Sequence, residues 1–312
     1  MTRFLKGHGT ENDFIVLPDF ATLDPRAEIP PLSAEQVQRL CDRHAGIGAD
    51  GVLRVLPVGV ATESEALETG AARWFMDYRN ADGSVSEMCG NGARLVARYL
   101  LDAGLETATS FDLATRGGVR QITISPSGVV SVDMGPARFG AESVARVSGE
   151  ELPGWQVSMP NPHLVCVTDI PVEDLDLSQQ PGVDDSLFPD GVNIEFVNCA
   201  HIGAGTADQG KFAPNLTSQG APESVPDAAV LHVRMRVFER GVGETRSCGT
   251  GACAVAAHAL DQIGRDSGEV LVDVPGGQVS VTVTPETTVL GGPAVFVAAG
   301  EVDSSWWAAI PD

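Results

Sequence analysis

Two cysteines in this chain share one five-residue setting, Cys89-Gly90-Asn91-Gly92-Ala93 and Cys248-Gly249-Thr250-Gly251-Ala252, 159 residues apart. Each leads into an apolar run with helical spacing, Ala93 to Leu101 and Ala252 to Leu260. A thiol at the mouth of a helix lies beside backbone N–H groups that lack intrahelical partners, at the positive end of the macrodipole. Both effects favour thiolate and predict a cysteine pKa below the ordinary ~8.5. The glycines remove side-chain bulk, so the amides of Gly90-Asn91 and Gly249-Thr250 form a cradle for a carboxylate. A single loop of this kind reads as a Gly-rich turn over a buried cysteine. A matched pair suggests one site with a sulfur on either side of a carbon. Inverting a stereocentre needs a base on one face and an acid on the other, and a thiolate/thiol pair exchanges those roles in the reverse direction. An amino-acid α-hydrogen is very weakly acidic, so the carbanion needs preorganised donors, which helix-start amides on the carboxylate supply.

The elements that must hold the two thiols repeat as well. Gly117-Gly118 is matched by Gly276-Gly277, and Gly135-Pro136-Ala137 by Gly292-Pro293-Ala294. Asn80 precedes the first cysteine by the same interval as Glu239 precedes the second. A duplicated chain of 312 residues predicts two domains. Strand signals dominate: Ile15–Leu17, Gly51–Leu56, Trp74–Tyr78, Val119–Ile124 and Val129–Met134, then Leu164–Thr168, Val192–Asn198, Leu231–Glu239, Val270–Val274 and Val279–Thr284. Ser33 to Arg43 opens with a Ser-x-x-Gln capping pattern and predicts a helix. The run after Cys248 is apolar almost all round, which places it inside a sheet. Residues 57–73 and 201–227 read as elongated loops. The second Gly-Pro-Ala suggests that the chain crosses between domains and returns. The expected division is therefore 1–127 with 288–312, carrying Cys89, and 128–287, carrying Cys248.

Composition narrows the function classes. A net charge of −22 argues against nucleic-acid and anionic-membrane partners. No apolar run is long enough to span a bilayer, and the N-terminus turns polar too early for a secretory signal; the cytoplasm is the expected location. Cysteines are sparse, with neither Cys-x-x-Cys nor zinc-ligand spacing, so no metal is expected. Cys41, Cys166, Cys199 and Cys253 read as small buried hydrophobes. Eighteen arginines accompany only two lysines, Lys6 and Lys211. A pyridoxal-phosphate racemase would need one of these as its Schiff-base lysine, and neither has a phosphate-binding pattern beside it.

With these residues in view, the chain resembles the diaminopimelate epimerase family over nearly its full length. The resemblance is carried by Lys6-Gly-His-Gly-Thr-Glu-Asn12-Asp-Phe14, Asp42-Arg-His-Ala-Gly-Ile-Gly-Ala-Asp50-Gly51, Asn80-Ala-Asp-Gly83 and Met88-Cys89-Gly-Asn-Gly-Ala-Arg94. In the second half it is carried by Asn161-Pro-His163, Gly191-Val-Asn193-Ile-Glu-Phe and Glu239-Arg240-Gly-Val-Gly-Glu-Thr-Arg-Ser-Cys248-Gly-Thr-Gly-Ala252. It implies an α/β (α+β) fold of two pseudo-symmetric domains, each a mixed barrel-like sheet around a central helix. It also implies cofactor-independent interconversion of L,L- and meso-diaminopimelate, in lysine and peptidoglycan precursor synthesis, by a homodimer. By resemblance, Cys89 and Cys248 are the catalytic pair, and His163 and Glu239 tune the thiols. Asn12, Asn80, Gly90, Asn91, Asn161, Asn193, Glu239, Arg240, Gly249 and Thr250 contact substrate. Some members have a glutamine on substrate where this chain has Gly51.

The residue chemistry suits a ligand with an ammonium and a carboxylate at both ends: asparagines donate and accept, Arg240 can fork onto a carboxylate, and Glu239 can accept from an ammonium. Each has a plainer reading. Asn12 and Asn161 could be turn or cap residues, Arg240 a surface ion pair, and His163 a hydrogen-bonded core histidine. Two rivals remain beside the epimerase. A proline-racemase-like enzyme would share the thiols without a second charged end, and a binding protein could use the cysteines as a redox switch.

Overall fold

A computed structural model describes residues 3–18, 32–59, 69–159, 161–203 and 230–310, with the side chains of 199–203 not described. The centres of both expected loops (60–68 and 204–227), Lys211 and the Cys199 side chain lie outside the described residues. The chain divides into two units, 1–132 with 292–312, and 133–291.

The first unit runs β1 (Arg3–Gly9), β2 (Asn12–Leu17), α1 (Ala34–Cys41), β3 (Gly51–Pro57), β4 (Trp74–Asn80), β5 (Val85–Ser86), α2 (Gly90–Asp102), β6 (Ser110–Thr115), β7 (Gly118–Ile124) and β8 (Val130–Gly135). The second runs β9 (Arg138–Val147), β10 (Glu150–Ser158), β11 (Pro162–Val167), β12 (Asn193–Gly203), β13 (Val230–Glu239), β14 (Gly243–Thr245), α3 (Gly249–Asp261), β15 (Gly268–Val274), β16 (Gly277–Val283) and β17 (Thr288–Gly292). The chain then returns to the first unit as β18 (Val295–Glu301) and α4 (Ser304–Ala308). The sequence boundaries, 127/128 and 287/288, fall just ahead of β8 and β17, the strands in which the division lies.

The duplication is explicit in the strand pairing. In the first unit β18 pairs β1 antiparallel, β1 pairs β2 antiparallel, β2 pairs β3 parallel, β3 pairs β4 antiparallel, β4 pairs β6 parallel, and β6, β7 and β8 follow antiparallel. The second unit repeats this directional pattern strand for strand as β9-β10-β11-β12-β13-β15-β16-β17. Each unit is thus a mixed sheet around one buried helix. α2 packs on β1 to β4, and α3 on β10 to β13 with β15 and β16.

Local chemistry sets the helix starts. Ser33 and Gln36 form a capping box on α1, and its inner face buries Val37, Leu40 and Cys41. α2 and α3 begin at Gly90 and Gly249, three residues earlier than the apolar runs at Ala93 and Ala252 suggest. Gly92 and Gly251 lie in the first helical turn, where the strand beneath leaves no room for a side chain. A Cβ on Gly92 would sit 2.9 Å from a Leu53 methyl, and one on Gly251 2.6 Å from Glu195 Oε1. The expected loop at 201 also starts late, since β12 continues to Gly203. Among the described residues no helix is long and apolar enough to cross a membrane.

Candidate active site

The early helix starts make both cysteines N-caps. Cys89 and Cys248 adopt extended backbone, and their sulfurs accept from the third residue of the helix: Gly92 N–H to Cys89 Sγ at 3.5 Å, and Gly251 N–H to Cys248 Sγ at 3.4 Å. This satisfies one orphan donor of each helix with sulfur in the place usually taken by a Ser or Asp oxygen.

In the first unit, Cys89 Sγ lies 3.8 Å from Asn12 Oδ1. That oxygen accepts from Asn91 Nδ2 at 3.1 Å, and Asn12 Nδ2 donates to Asp50 Oδ2 at 2.9 Å. Arg94, fully buried, donates to Asn91 Oδ1 and to Thr10 Oγ1. A cation that only donates and a carboxylate that only accepts therefore fix the direction of both amides between them. Asn12 follows a tight turn in which Thr10 (φ 49°) and Glu11 (φ 60°) are left-handed, a strained conformation for a β-branched threonine. Behind it, Asp13 is bound by Lys6 and Arg43. Burial pushes the Asp13 carboxyl up, but these two cations outweigh it and hold the pKa at about 2. Burial and the neighbouring Asp13 push Asp50 upward. Lys6 is thus committed to Asp13 and the Gly48 carbonyl. Asn80 is tied to the β4–β5 turn, accepting from Tyr78 Oη at 2.7 Å and donating to Ser84 Oγ at 3.0 Å.

The second unit surrounds its cysteine with a different set. Thr250 Oγ1 is 3.4 Å from Cys248 Sγ and accepts from Asn161 Nδ2 at 3.4 Å. Asn161 Oδ1 lies 3.1 Å from His163 Nε2, and His163 Nδ1 lies 2.7 Å from Glu195 Oε1. Glu239 accepts from the Thr245 hydroxyl and bonds Cys248. Asn193 accepts from the Arg240 backbone N–H at 2.9 Å. The Arg240 guanidinium donates to the Asp190 carbonyl and lines a cavity of about 190 Å³ with Phe188 and Phe238.

Electrostatics correct one expectation. The helix start is not enough to lower the Cys248 pKa. Burial raises it well above the usual thiol range, and the carboxylates of Glu239 and Glu195 add to the rise. Burial likewise raises Glu239, offset in part by the Thr245 hydroxyl. Cys248 therefore carries its proton at neutral pH. The buried Cys41 and Cys166 are pushed up to about 12 by burial, which makes them inert, and Cys253 is wholly buried in α3.

The structure thus gathers Cys89, Asn12 and Asn91 in one unit, and Cys248, Thr250, Asn161, His163 and Glu239 in the other. Asn80, Asn193 and Arg240 engage their own turns and strands. Sequence reasoning overlooked Asp50, Arg94 and Glu195 as supports. The signal for Glu195 was a single carboxylate inside an otherwise apolar strand, Ile194-Glu195-Phe196.

Comparison with known proteins bears on this geometry. A sequence model of the diaminopimelate epimerase family matches residues 4–140 and 155–297. Diaminopimelate epimerase of Mycobacteroides abscessus is 44% identical, covering 99% of this chain and 98% of its own. That of Thermobifida fusca is 44% identical over 96% and 97%. Among solved structures, a Bacillus anthracis phenazine biosynthesis protein of the PhzF family superposes with TM-score 0.64 at 17% identity, covering 96% and 98%. An Agrobacterium vitis hydroxyproline epimerase gives 0.57 at 16%, covering 96% and 91%. These two structures share the fold.

Proposed function

The chain belongs to the diaminopimelate epimerase family and is an isomerase, and from that premise we propose that it interconverts L,L- and meso-diaminopimelate by a two-base mechanism. Cys89 and Cys248 act on opposite faces of the substrate's α-carbon, one as thiolate base and the other as thiol acid. With its pKa raised, Cys248 is the protonated member in the free enzyme. The amides of Gly90-Asn91 and Gly249-Thr250 hold the carboxylate and spread the charge of the carbanion. Asn12, Asn80, Asn161, Asn193, Glu239 and Arg240 select the substrate through its ammonium and carboxylate groups, while His163 and Glu239 adjust the thiols. No cofactor takes part. In this reading the protein acts in the cytoplasm and, as the family resemblance implies, as a homodimer.

One observation carries this reading: two N-capping thiols occupy equivalent points of two halves with identical strand order. The test is inversion of diaminopimelate in deuterated water by Cys89→Ala and Cys248→Ala. Both variants should fold and lose inversion by about a thousandfold or more. Each should still exchange the α-proton of the isomer that presents it to the remaining cysteine. Wild-type inversion rates in either variant refute the two-base assignment, and turnover of proline instead of diaminopimelate refutes the substrate.

A further inference from the structure

The two halves place different chemistry at one shared position. β2 and β3 pair Phe14 with Gly51, and β11 and β12 pair His163 with Asn193. Two residues beyond Gly51 and Asn193 come Leu53 and Glu195, each packed under the corresponding helix glycine, Gly92 or Gly251. The second unit therefore holds His163 and Glu195 where the first holds Phe14 and Leu53, and all four side chains are 0% exposed. An apolar pair satisfies the same framework. A buried imidazole–carboxylate pair gains little over such a pair and costs considerable desolvation. Glu195 Oε2 is also buried without a hydrogen-bond partner among the described residues. Fold stability gives no reason for Glu195.

We propose that Glu195 is a positioning residue of the reaction, one that holds a proton on His163 Nδ1 and so leaves Nε2 as the nitrogen that meets Asn161. The inference rests on the epimerase reading above. An ionised carboxylate only accepts, so at 2.7 Å it selects the Nδ1–H tautomer and orients the ring. Nε2 then faces Asn161, whose amide can turn either way. With Nε2 protonated, Asn161 Oδ1 accepts from it, Asn161 Nδ2 donates to Thr250 Oγ1, and the Thr250 O–H is left to donate to Cys248 Sγ. With Nε2 bare, the amide reverses, Thr250 donates to Asn161, and the Thr250 oxygen can accept from the Cys248 S–H. The line of side chains thus transmits the state of one imidazole nitrogen to the hydrogen bond at the sulfur. Other titratable groups facing this region are Glu239 from β13 and Cys248 itself.

Nitrogen NMR of protein labelled with ¹⁵N-histidine reads the tautomer directly. In wild type the neutral ring of His163 should carry its proton on Nδ1; a neutral ring protonated on Nε2 alone overturns the inference without any variant. Glu195→Gln, which can donate as well as accept, should release the tautomer. It should lower kcat by about a hundredfold or more, with KM within about threefold. The double variant His163→Phe/Glu195→Leu rebuilds the first unit's pair; it should melt at or above the wild-type temperature and be inactive. An active double variant, a strongly destabilised one, or Glu195→Gln with unchanged tautomer and kcat refutes the role. Wild type that fails to invert diaminopimelate refutes the functional reading instead, and the tautomer measurement stands apart from it.

Discussion

His258 should make this protein lose stability in mild acid. It lies on α3, 1% exposed, with its ring 5.0 Å from that of Trp155 and neither ring nitrogen hydrogen-bonded among the described residues. Burial holds its pKa at about 4, against an ordinary 6.5, even though the Asp261 carboxylate pulls the other way. The native state therefore refuses a proton that the unfolded chain accepts. Stability is complete above pH 6.5, falls as pH drops from there towards 4, and is flat below, with a slope of about 1.4 kcal/mol per pH unit inside the window. Between pH 7.5 and pH 5 the loss from this one group is about 2 kcal/mol, and the whole shift is worth roughly 3 kcal/mol. Urea unfolding of wild type and His258→Phe at both pH values isolates the effect, because phenylalanine keeps the ring stack and the other titrating groups cancel in the difference. The wild type should lose about 2 kcal/mol more than the variant. Equal losses in both proteins, or a His258 resonance titrating near its ordinary value, would refute the reasoning.

Other consequences can be measured with similar economy. Ser33→Ala removes the capping box of α1 and should cost about 1 kcal/mol in denaturant unfolding, with catalytic rates unchanged. Gly251→Ala brings a methyl to 2.6 Å from a carboxylate already fixed by His163; the overlap outweighs the gain in helix propensity, and stability should drop by roughly 1–3 kcal/mol. Glu239→Gln removes a charge that raises the Cys248 pKa, so the pH midpoint of iodoacetamide alkylation at Cys248 should move down; an upward move would contradict the assigned cause.

What could be read in advance depended on how local its cause was. The capping box at Ser33 and Gln36 is a four-residue signal and survives translation into structure intact. The paired cysteine loops were legible because a repeated motif needs no tertiary context. The helix starts were displaced because glycines carry a loop propensity, which close packing of Gly92 on Leu53 and of Gly251 on Glu195 overrides. Strand β9 escaped notice because Arg138–Glu142 is exposed throughout and shows no alternation, and β10 contains Pro153 and Gly154. The left-handed turn at Thr10 and Glu11 has no sequence signature, since neither residue favours it. The raised Cys248 pKa lay outside the local pattern altogether, as it comes from burial and from carboxylates on two other strands.

The departures from symmetry follow a chemical logic. The proposed inversion needs two similar proton carriers, and duplication offers two matching N-capping thiols for that role. It does not need two identical environments, because in the proposed two-base mechanism one thiol acts as base while the other acts as acid. The halves differ where that difference can be expressed: Asn80 against Glu239, Asn91 against Thr250, Phe14 against His163 and Leu53 against Glu195. In the first half, two amides are locked in direction between Arg94 and Asp50, so Asn12 can offer Cys89 only a carbonyl. In the second, the amide and hydroxyl between His163 and Cys248 can reverse, and two carboxylates stand near the sulfur. One thiol thus has a fixed neighbour and the other an adjustable one. His163, Glu195 and Glu239 gather in the second half, around the cysteine that keeps its proton at neutral pH.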